Sequence, residues 1–229
     1  MNLISEDIWY TDHTLKKFPT KFNIRMVVVK LPSGGLWLHS PVPIDDSLYD
    51  QINNHGKVEH IVAPNCFHHL FASDAKERYP EAVLWAAPGL PQKKKDMKFD
   101  AVINERQPNW GDSIDWQYIG GMPKMNEVVF LHKPSRTLIC SDFVFNVTDE
   151  SNFLMKILWQ LAGTYQKFGQ SRVWRLMVKN VFDQVDSVNK ILKWDFEKIV
   201  MAHGKITDCT SMELFEVLNS GNKNFYIQS

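Results

Sequence analysis

Apolar, β-branched runs alternate with amphipathic helical stretches along the chain, and this order limits the possible folds more than any other feature. Residues 23–30 are the strongest predicted strand, because they are dense in β-branched side chains. Further strands are predicted at 8–10, 36–39, up to 63, 81–87, 114–119, 127–132, 137–142 and 198–202, and helices at 45–52, 70–78, 151–194 and 211–218. Such alternation predicts packed sheets with helical covers.

The composition is typical of one soluble domain. The 229 residues, 44% of them hydrophobic, can bury a sizeable core as a single domain over 1–229. Basic and acidic residues number 26 each, which argues against a nucleic-acid partner. The three cysteines are too scattered for a disulfide framework, and the sequence shows neither a signal peptide nor a membrane-spanning run. We therefore expect a cytoplasmic protein.

Three predicted strands are each followed by side chains that commonly bind metals. His68 and His69 come after the strand that ends at residue 63, Asp142 follows residues 137–141, and His203 follows residues 198–202. Strand ends share the rim of a sheet, where rigid elements hold functional loops. Imidazole and carboxylate ligands suit zinc, iron or manganese. The joint placement predicts a metal site at this rim.

Each of these signals also has an ordinary structural interpretation. The His68-His69 pair could be a polar segment that caps the following helix, and Asp142 could cap a turn. His203-Gly204 could be a simple exit from a strand. Only their shared position at strand ends favours a metal site over these alternatives.

Three segments resemble the metal-binding segments of the metallo-β-lactamase fold. In that family a strand ends in Thr-His-x-His-x-Asp-His, a later hairpin strand ends in Gly-Asp, and a final strand ends in His-Gly. Residues 61–69, 138–145 and 200–204 are similar to these segments in order and spacing. The resemblance implies an α/β (α+β) chain folded as a four-layer αβ/βα sandwich. The Pro-Asn-x-x-His-His segment further resembles an uncharacterised branch, a domain of unknown function.

The departures from the family pattern concern its first metal. Pro64 and Cys66 stand where the family has its first two histidines, and no histidine lies near residues 120–123. What remains of the pattern implies one divalent ion, zinc before iron, or none. Its ligands would be His68, His69, Asp142 and His203, with Asp142 also counted as a catalytic residue.

Other side chains near the predicted rim have open roles. Glu127 could be a general base, a ligand or a partner of a ligand, or it could lie on the surface. Asn65 could position a substrate oxygen or cap a helix, and Cys66 could be a reactive thiol or an inert buried one. Arg172 and Arg175 lie three residues apart on a predicted helix, so they could bind an anionic substrate group or be solvated.

Residues 151–194 are predicted to be helical with one break at 168–171, and in the resemblance they replace a short loop. Their apolar side chains could pack in the core, close over the site, form a homodimer interface or contact a membrane surface. Three functions follow: a metal-dependent hydrolase of a small molecule, an inactive scaffold that binds a small molecule or a partner protein, and an iron-dependent oxidative enzyme. The substrate stays open.

Overall fold

Two β-sheets form the centre of the protein. The computed structural model describes residues 1–17, 20–104, 106–148, 152–220 and 226. The first sheet has seven strands in chain order, antiparallel through β4 and parallel from β4 to β7. Its strands are β1 Asn2–Ser5, β2 Ile8–Lys17, β3 Thr20–Lys30, β4 Leu36–His39, β5 Val58–Ala63, β6 Val83–Ala86 and β7 Ala101–Val102.

The second sheet has five strands in the order β12-β11-β10-β9-β8. They are β8 Ile114–Tyr118, β9 Val128–His132, β10 Thr137–Ile139, β11 Lys198–Val200 and β12 Thr207–Asp208. Within this second sheet only β10 and β11 are parallel neighbours, and the stretch predicted to be helical at 151–194 lies in the connection between them. The helices are α1 Asp46–Asn53, α2 Ala72–Arg78, α3 Leu90–Lys93, α4 Phe153–Ala162, α5 Arg172–Leu176, α6 Val181–Ile191 and α7 Ser211–Asn219.

The burial pattern of β3 shows how the layers stack. Val27 and Val29 pack between the two sheets, whereas Val28 packs under the helices of the first sheet. All three are buried because both faces of the sheet are covered, and successive side chains of a strand point to opposite faces.

Two apolar clusters lie outside the sheets, and Val28 belongs to the one that covers the first sheet. Ile52 of α1 and Ala75 of α2 cover the first sheet, and Ile191 of α6 and Leu214 of α7 cover the second. The layers therefore run helix, sheet, sheet, helix, which confirms the four-layer αβ/βα sandwich. None of the helices among the described residues is long and apolar enough to span a membrane.

The helical stretch differs from its prediction in having two breaks. α4 ends at Gly163, whose φ of 76° is a left-handed cap that glycine adopts without strain. Ser171 and Asn180 then accept hydrogen bonds from the first turns of α5 and α6. The predicted break at 168–171 is therefore shorter than the observed one at 163–171, and the second break at 177–180 was not predicted. Position 151, the predicted start of the stretch, lies outside the described residues.

Some sheet edges were also missed. β1 was not predicted, and β2 extends to residue 17, well beyond the predicted 8–10. β7 was not among the predicted strands either, although its Ala101 pairs with Trp85. β1 and β7 are short edge strands and the second half of β2 is partly exposed, so all three lack the apolar pattern that marks a central strand.

Candidate metal centre

The ends of three strands bring His68, Asp142 and His203 together. β10 and β11 are parallel, with Ile139 opposite Val200, and Asp142 and His203 each come three residues later. His68 arrives from the other sheet, on the turn that follows β5. Among the described residues, these three form the only group of three or more possible ligands close enough for one ion, with all ligand atoms within 4.8 Å of one another.

The distances within this group fit a single small ion. The two Nε2 atoms of His68 and His203 are 3.2 Å apart. Asp142 Oδ2 lies 3.5 Å from Nε2 of His68, and Oδ1 lies 3.5 Å from Nε2 of His203. Tetrahedral zinc with ligands at about 2.0–2.1 Å has ligand–ligand edges of about 3.3–3.4 Å. The donor set and its spacing therefore suit a mononuclear site.

Hydrogen bonding fixes the ring of His203. Its Nδ1 lies 2.8 Å from the backbone oxygen of Asn23, which can only accept, so Nδ1 carries the proton. In the neutral ring Nε2 then presents its lone pair toward Asp142. Phe145 stacks parallel to the imidazole, with 5.7 Å between ring centroids. A histidine held in this way is ready to bind a metal through Nε2.

Asn65 connects His68 and Asp142 through hydrogen bonds. Its Oδ1 accepts hydrogen bonds from the backbone N–H groups of Phe67, at 2.8 Å, and His68, at 2.7 Å. Its Nδ2 donates to Asp142 Oδ2 at 2.9 Å. Ser40 Oγ contacts Nδ1 of His68 at 2.9 Å. Asn65 thus caps the turn that carries His68, whereas it does not cap α2, whose N-cap position is Phe71.

The charge of Asp142 is stabilised by its two histidines. Burial alone would raise the pKa of this carboxyl group. The interactions with His68 and His203 outweigh burial and hold the pKa well below its usual range. Asp142 is therefore a carboxylate, the form that binds a cation.

Glu127 lies behind Asp142 and is only 1% exposed, so it is not a surface residue. Its Oε1 accepts hydrogen bonds from the backbone N–H groups of Ser141, at 2.7 Å, and Asp142, at 3.0 Å. Burial and the charge of Asp142 raise the pKa of Glu127 to about 8, although these hydrogen bonds oppose the shift. Glu127 does not line the cavity over the site. It holds the loop that carries Asp142.

Arg25 of β3 was missed by the sequence reasoning. Its guanidinium donates to the backbone oxygens of Met201, at 3.1 Å, and Gly204, at 2.9 Å, on either side of His203. The same group forms two hydrogen bonds with Asp12. Arg25 therefore ties the first sheet to the loop that presents His203. The sequence feature that could have identified Arg25 is the presence of a permanently charged residue within an apolar strand.

His69 does not join the group. It is buried, and burial followed by the charges of Lys94 and Lys93 lowers its pKa. The group of possible ligands therefore contains three of the four expected residues, His68, Asp142 and His203.

Cys66 has the surroundings of an inert thiol. It packs in the apolar cluster beneath α2, and burial raises its pKa. Its backbone oxygen accepts a hydrogen bond from Lys93 at 2.5 Å. Pro64 has no donor atom, and Met122 is buried in the cluster of the second sheet. The positions of the family's first metal therefore offer no hard ligand.

Arg172 and Arg175 do not line the cavity over the three residues. Arg172 donates to the backbone oxygen of Leu161 at 3.2 Å, near the end of α4. Arg175 lines a separate cavity of about 160 Å³ together with Gln184 and Tyr226. α5 turns a different face to the site, through Val173 and Trp174.

Comparison with known proteins agrees with the fold. Residues 5–172 match the family described as Domain of unknown function (DUF4336). No curated protein matches the chain.

Several solved structures resemble the whole chain. A metallo-beta-lactamase from Pontibacter korlensis has a TM-score of 0.64 at 12% identity, covering 93% of this chain and 94% of its own. The FIM-1 enzyme from Pseudomonas aeruginosa, in the mono-zinc form, has a TM-score of 0.63 at 12% identity, covering 94% and 91%. A metallo-beta-lactamase from Hirschia baltica has a TM-score of 0.61 at 11% identity, covering 90% of each chain. At these identities the likeness concerns the fold alone.

Proposed function

The chain belongs to the family described as Domain of unknown function (DUF4336), and we propose that it is a hydrolase that works with one divalent metal ion. The ion, zinc before iron, would be held by His68, Asp142 and His203. The observation that carries this proposal is the convergence of two imidazole Nε2 atoms and a carboxylate at 3.2–3.5 Å. Three protein ligands leave a position open, as in catalytic zinc sites.

The chain's own residues prepare this chemistry. A bound ion of this kind supplies polarisation of the scissile group and a water of lowered pKa. The Asn23 carbonyl keeps the Nε2 lone pair of His203 directed at the site, and Ser40 orients His68. Asn65 fixes Asp142 by donating to one of its oxygens. Glu127 binds the backbone of the loop that carries Asp142 and does not line the cavity. We therefore assign it the role of positioning Asp142 and not that of a general base.

The FIM-1 structure in its mono-zinc form shows that a protein of this fold can hold one zinc ion. Pro64 and Cys66 offer no hard ligands for a second ion in this chain. These two facts support a mononuclear site.

A second candidate function is an inactive scaffold that binds a small molecule. It is favoured by one observation: among the described residues that line the cavity, no carboxylate other than Asp142 is available as a general base. Hydrolysis would then depend on the ion's water alone.

A hydrolytic assay separates the two functions. The untagged protein is stripped with a chelator, reloaded with zinc and tested on p-nitrophenyl esters and on bis(p-nitrophenyl) phosphate. The hydrolase account predicts activity that zinc restores in the wild type but not in Asp142→Asn or His203→Ala. His132→Ala is the control, since His132 lies in the β9–β10 hairpin bonded to Ser135. Zinc binding without hydrolysis of any substrate would favour the scaffold.

A further inference from the structure

The cavity beside the three residues is apolar almost throughout. Its volume is about 450 Å³, within the range of pockets that enclose drug-sized ligands. Leu15 and Phe22 form one wall, Phe71 a second, and Met155 and Trp159 of α4 a third. The described lining contains no lysine, arginine or glutamate. A multiply charged substrate such as a nucleotide would lose its hydration here without counter-charges along the walls.

Polar groups are concentrated at one end of this cavity. His68, Asp142 and His203 lie there with Ser40, and Ser171 is the one other polar residue of the described lining. A ligand that fits must therefore have one polar, reactive group and an apolar remainder, because burying apolar surface is favourable and burying an unpaired polar group is costly.

We propose that the substrate is a carboxylic ester or amide whose uncharged acyl chain or aromatic group fills this cavity. The proposal rests on the hydrolase function. The scissile carbonyl would lie against His68, Asp142 and His203. In the reaction, water adds its hydroxyl to the acyl carbon, the bond from that carbon to the leaving oxygen or nitrogen breaks, and the leaving group takes the remaining proton.

Binding of a neutral dye tests the cavity without using the reaction. N-phenyl-1-naphthylamine fluoresces in apolar surroundings and has no charge to attract it elsewhere. We expect saturable binding to the wild type and to His203→Ala. Ala162→Phe places a ring inside the cavity and should weaken binding by about tenfold. Leu161→Phe adds the same kind of ring on the exposed face of α4 and should leave binding unchanged.

The chain-length dependence of hydrolysis completes the test. With zinc, KM should fall from p-nitrophenyl acetate to the octanoate in the wild type, and this trend should be lost in Ala162→Phe. No dye binding, or acetate and octanoate hydrolysed alike, would overturn the apolar substrate while leaving the hydrolase. Dye binding that Ala162→Phe abolishes, without any hydrolysis, would instead reject the hydrolase and keep the cavity as a binding site.

A separate observation concerns the outer face of α4. Met155, Trp159 and Ala162 line the cavity, whereas Leu158 and Leu161 are 42% and 65% exposed. α4 is thus apolar on two faces, and only one of them is covered by the protein. A helix of this kind normally has a partner on its second face.

Exposed apolar side chains are concentrated around this helix. Of the twelve large hydrophobic side chains exposed among the described residues, six lie on α4 and α5, which contact each other. We call them the insertion surface: Phe153, Leu154, Leu158, Leu161, Val173 and Leu176. Residues 153–176 carry four basic residues and no acidic one, in a chain of zero net charge. Val173 also lines the cavity, so the insertion surface reaches its mouth.

We infer that the insertion surface binds an anionic lipid bilayer. Apolar side chains flanked by lysine and arginine are typical of helices that lie in the membrane interface. A symmetric contact with a second copy would bring the four basic residues of this segment toward four others, which disfavours a homodimer through this face. A bilayer contact at this place would also present the cavity mouth to apolar molecules in the membrane.

Flotation with vesicles tests this inference. The protein should float with vesicles of phosphatidylcholine and phosphatidylglycerol, float less with phosphatidylcholine alone, and be released by raised salt. The double variant Leu158→Gln, Leu176→Gln should lose the binding, and Leu3→Gln, at an exposed leucine outside the insertion surface, should retain it. No flotation of the wild type would overturn the inference. So would a dimer in sedimentation equilibrium that the double variant converts to a monomer.

Discussion

The Nε2 atoms of His68 and His203 lie 3.2 Å apart, although 135 residues separate them in the chain. When its ring is neutral, His203 directs a lone pair at this point, because its Nδ1 proton is engaged by the carbonyl of Asn23. In that form a proton on His68 or a cation must separate the two nitrogens. Asp142 supplies a negative charge 3.5 Å from each. The arrangement is one that a bound metal ion would stabilise.

Zinc should raise the melting temperature of the wild-type protein. A ligand that binds only the native state stabilises it according to its concentration over Kd. Imidazole ligands bind only when neutral, so protons compete with the ion at low pH, and the gain should be larger at about pH 7.5 than at about pH 5.5. His203→Ala should lose most of this gain and His132→Ala should keep it. An equal response in wild type and His203→Ala would remove His203 from the site.

Asn65→Ala should weaken zinc binding. The change removes the donor to Asp142 and the acceptor for the N–H groups of Phe67 and His68. Loss of such supporting hydrogen bonds typically reduces metal affinity by about 10–100-fold. Zinc titration by calorimetry measures the change, with Asn109→Ala at an exposed position as the control. Unchanged affinity in Asn65→Ala would show that Asp142 is held without Asn65.

Glu127→Gln should destabilise the protein. A glutamine retains one acceptor oxygen, and its NH2 group would face the backbone N–H of Asp142, which now approaches both glutamate oxygens. A buried donor left without a partner costs about 1–3 kcal/mol. Denaturant unfolding at about pH 4.5 should show a loss of this size, because the raised pKa keeps Glu127 neutral there and glutamine then relieves no buried charge; Glu216→Gln on the exposed side of α7 should show none. Equal stability of the two variants would contradict the positioning role.

His39 should make the protein sensitive to acid. Burial, followed by the charge of His68, lowers its pKa to about 3. Between about pH 6.5 and that value the unfolded chain binds a proton that the native state does not. Stability therefore falls as pH falls through this window, by at most about 1.4 kcal/mol per pH unit. His39→Leu should flatten the decline by that slope. Parallel pH profiles of wild type and variant would show that His39 is protonated in the folded protein.

The sequence predicted the residues at the rim for a physical reason, whereas the sandwich followed from the resemblance of three segments to a known fold. Asp142 and His203 follow the neighbouring parallel strands β10 and β11, which end at the same edge, and His68 follows β5 of the other sheet. Counting from strand ends therefore placed these residues near one another without knowledge of the loops.

The remaining contacts depend on side-chain directions that no spacing reveals. His69 is adjacent to His68, yet it does not belong to the group. Glu127 and Arg25 bind backbone groups of loops from distant parts of the chain, so their roles appear only when the sheets have packed. Arg172 interacts with the end of α4 because α5 begins after a break that was predicted to be shorter.

Metal content is the most direct test of the central claim, that His68, Asp142 and His203 hold one ion. Untagged protein is dialysed to equilibrium against zinc, and its metal is measured by mass spectrometry. The account predicts about one zinc per wild-type chain and essentially none for Asp142→Ala. No zinc in the wild type, a second equivalent, or an equal amount in Asp142→Ala would contradict it.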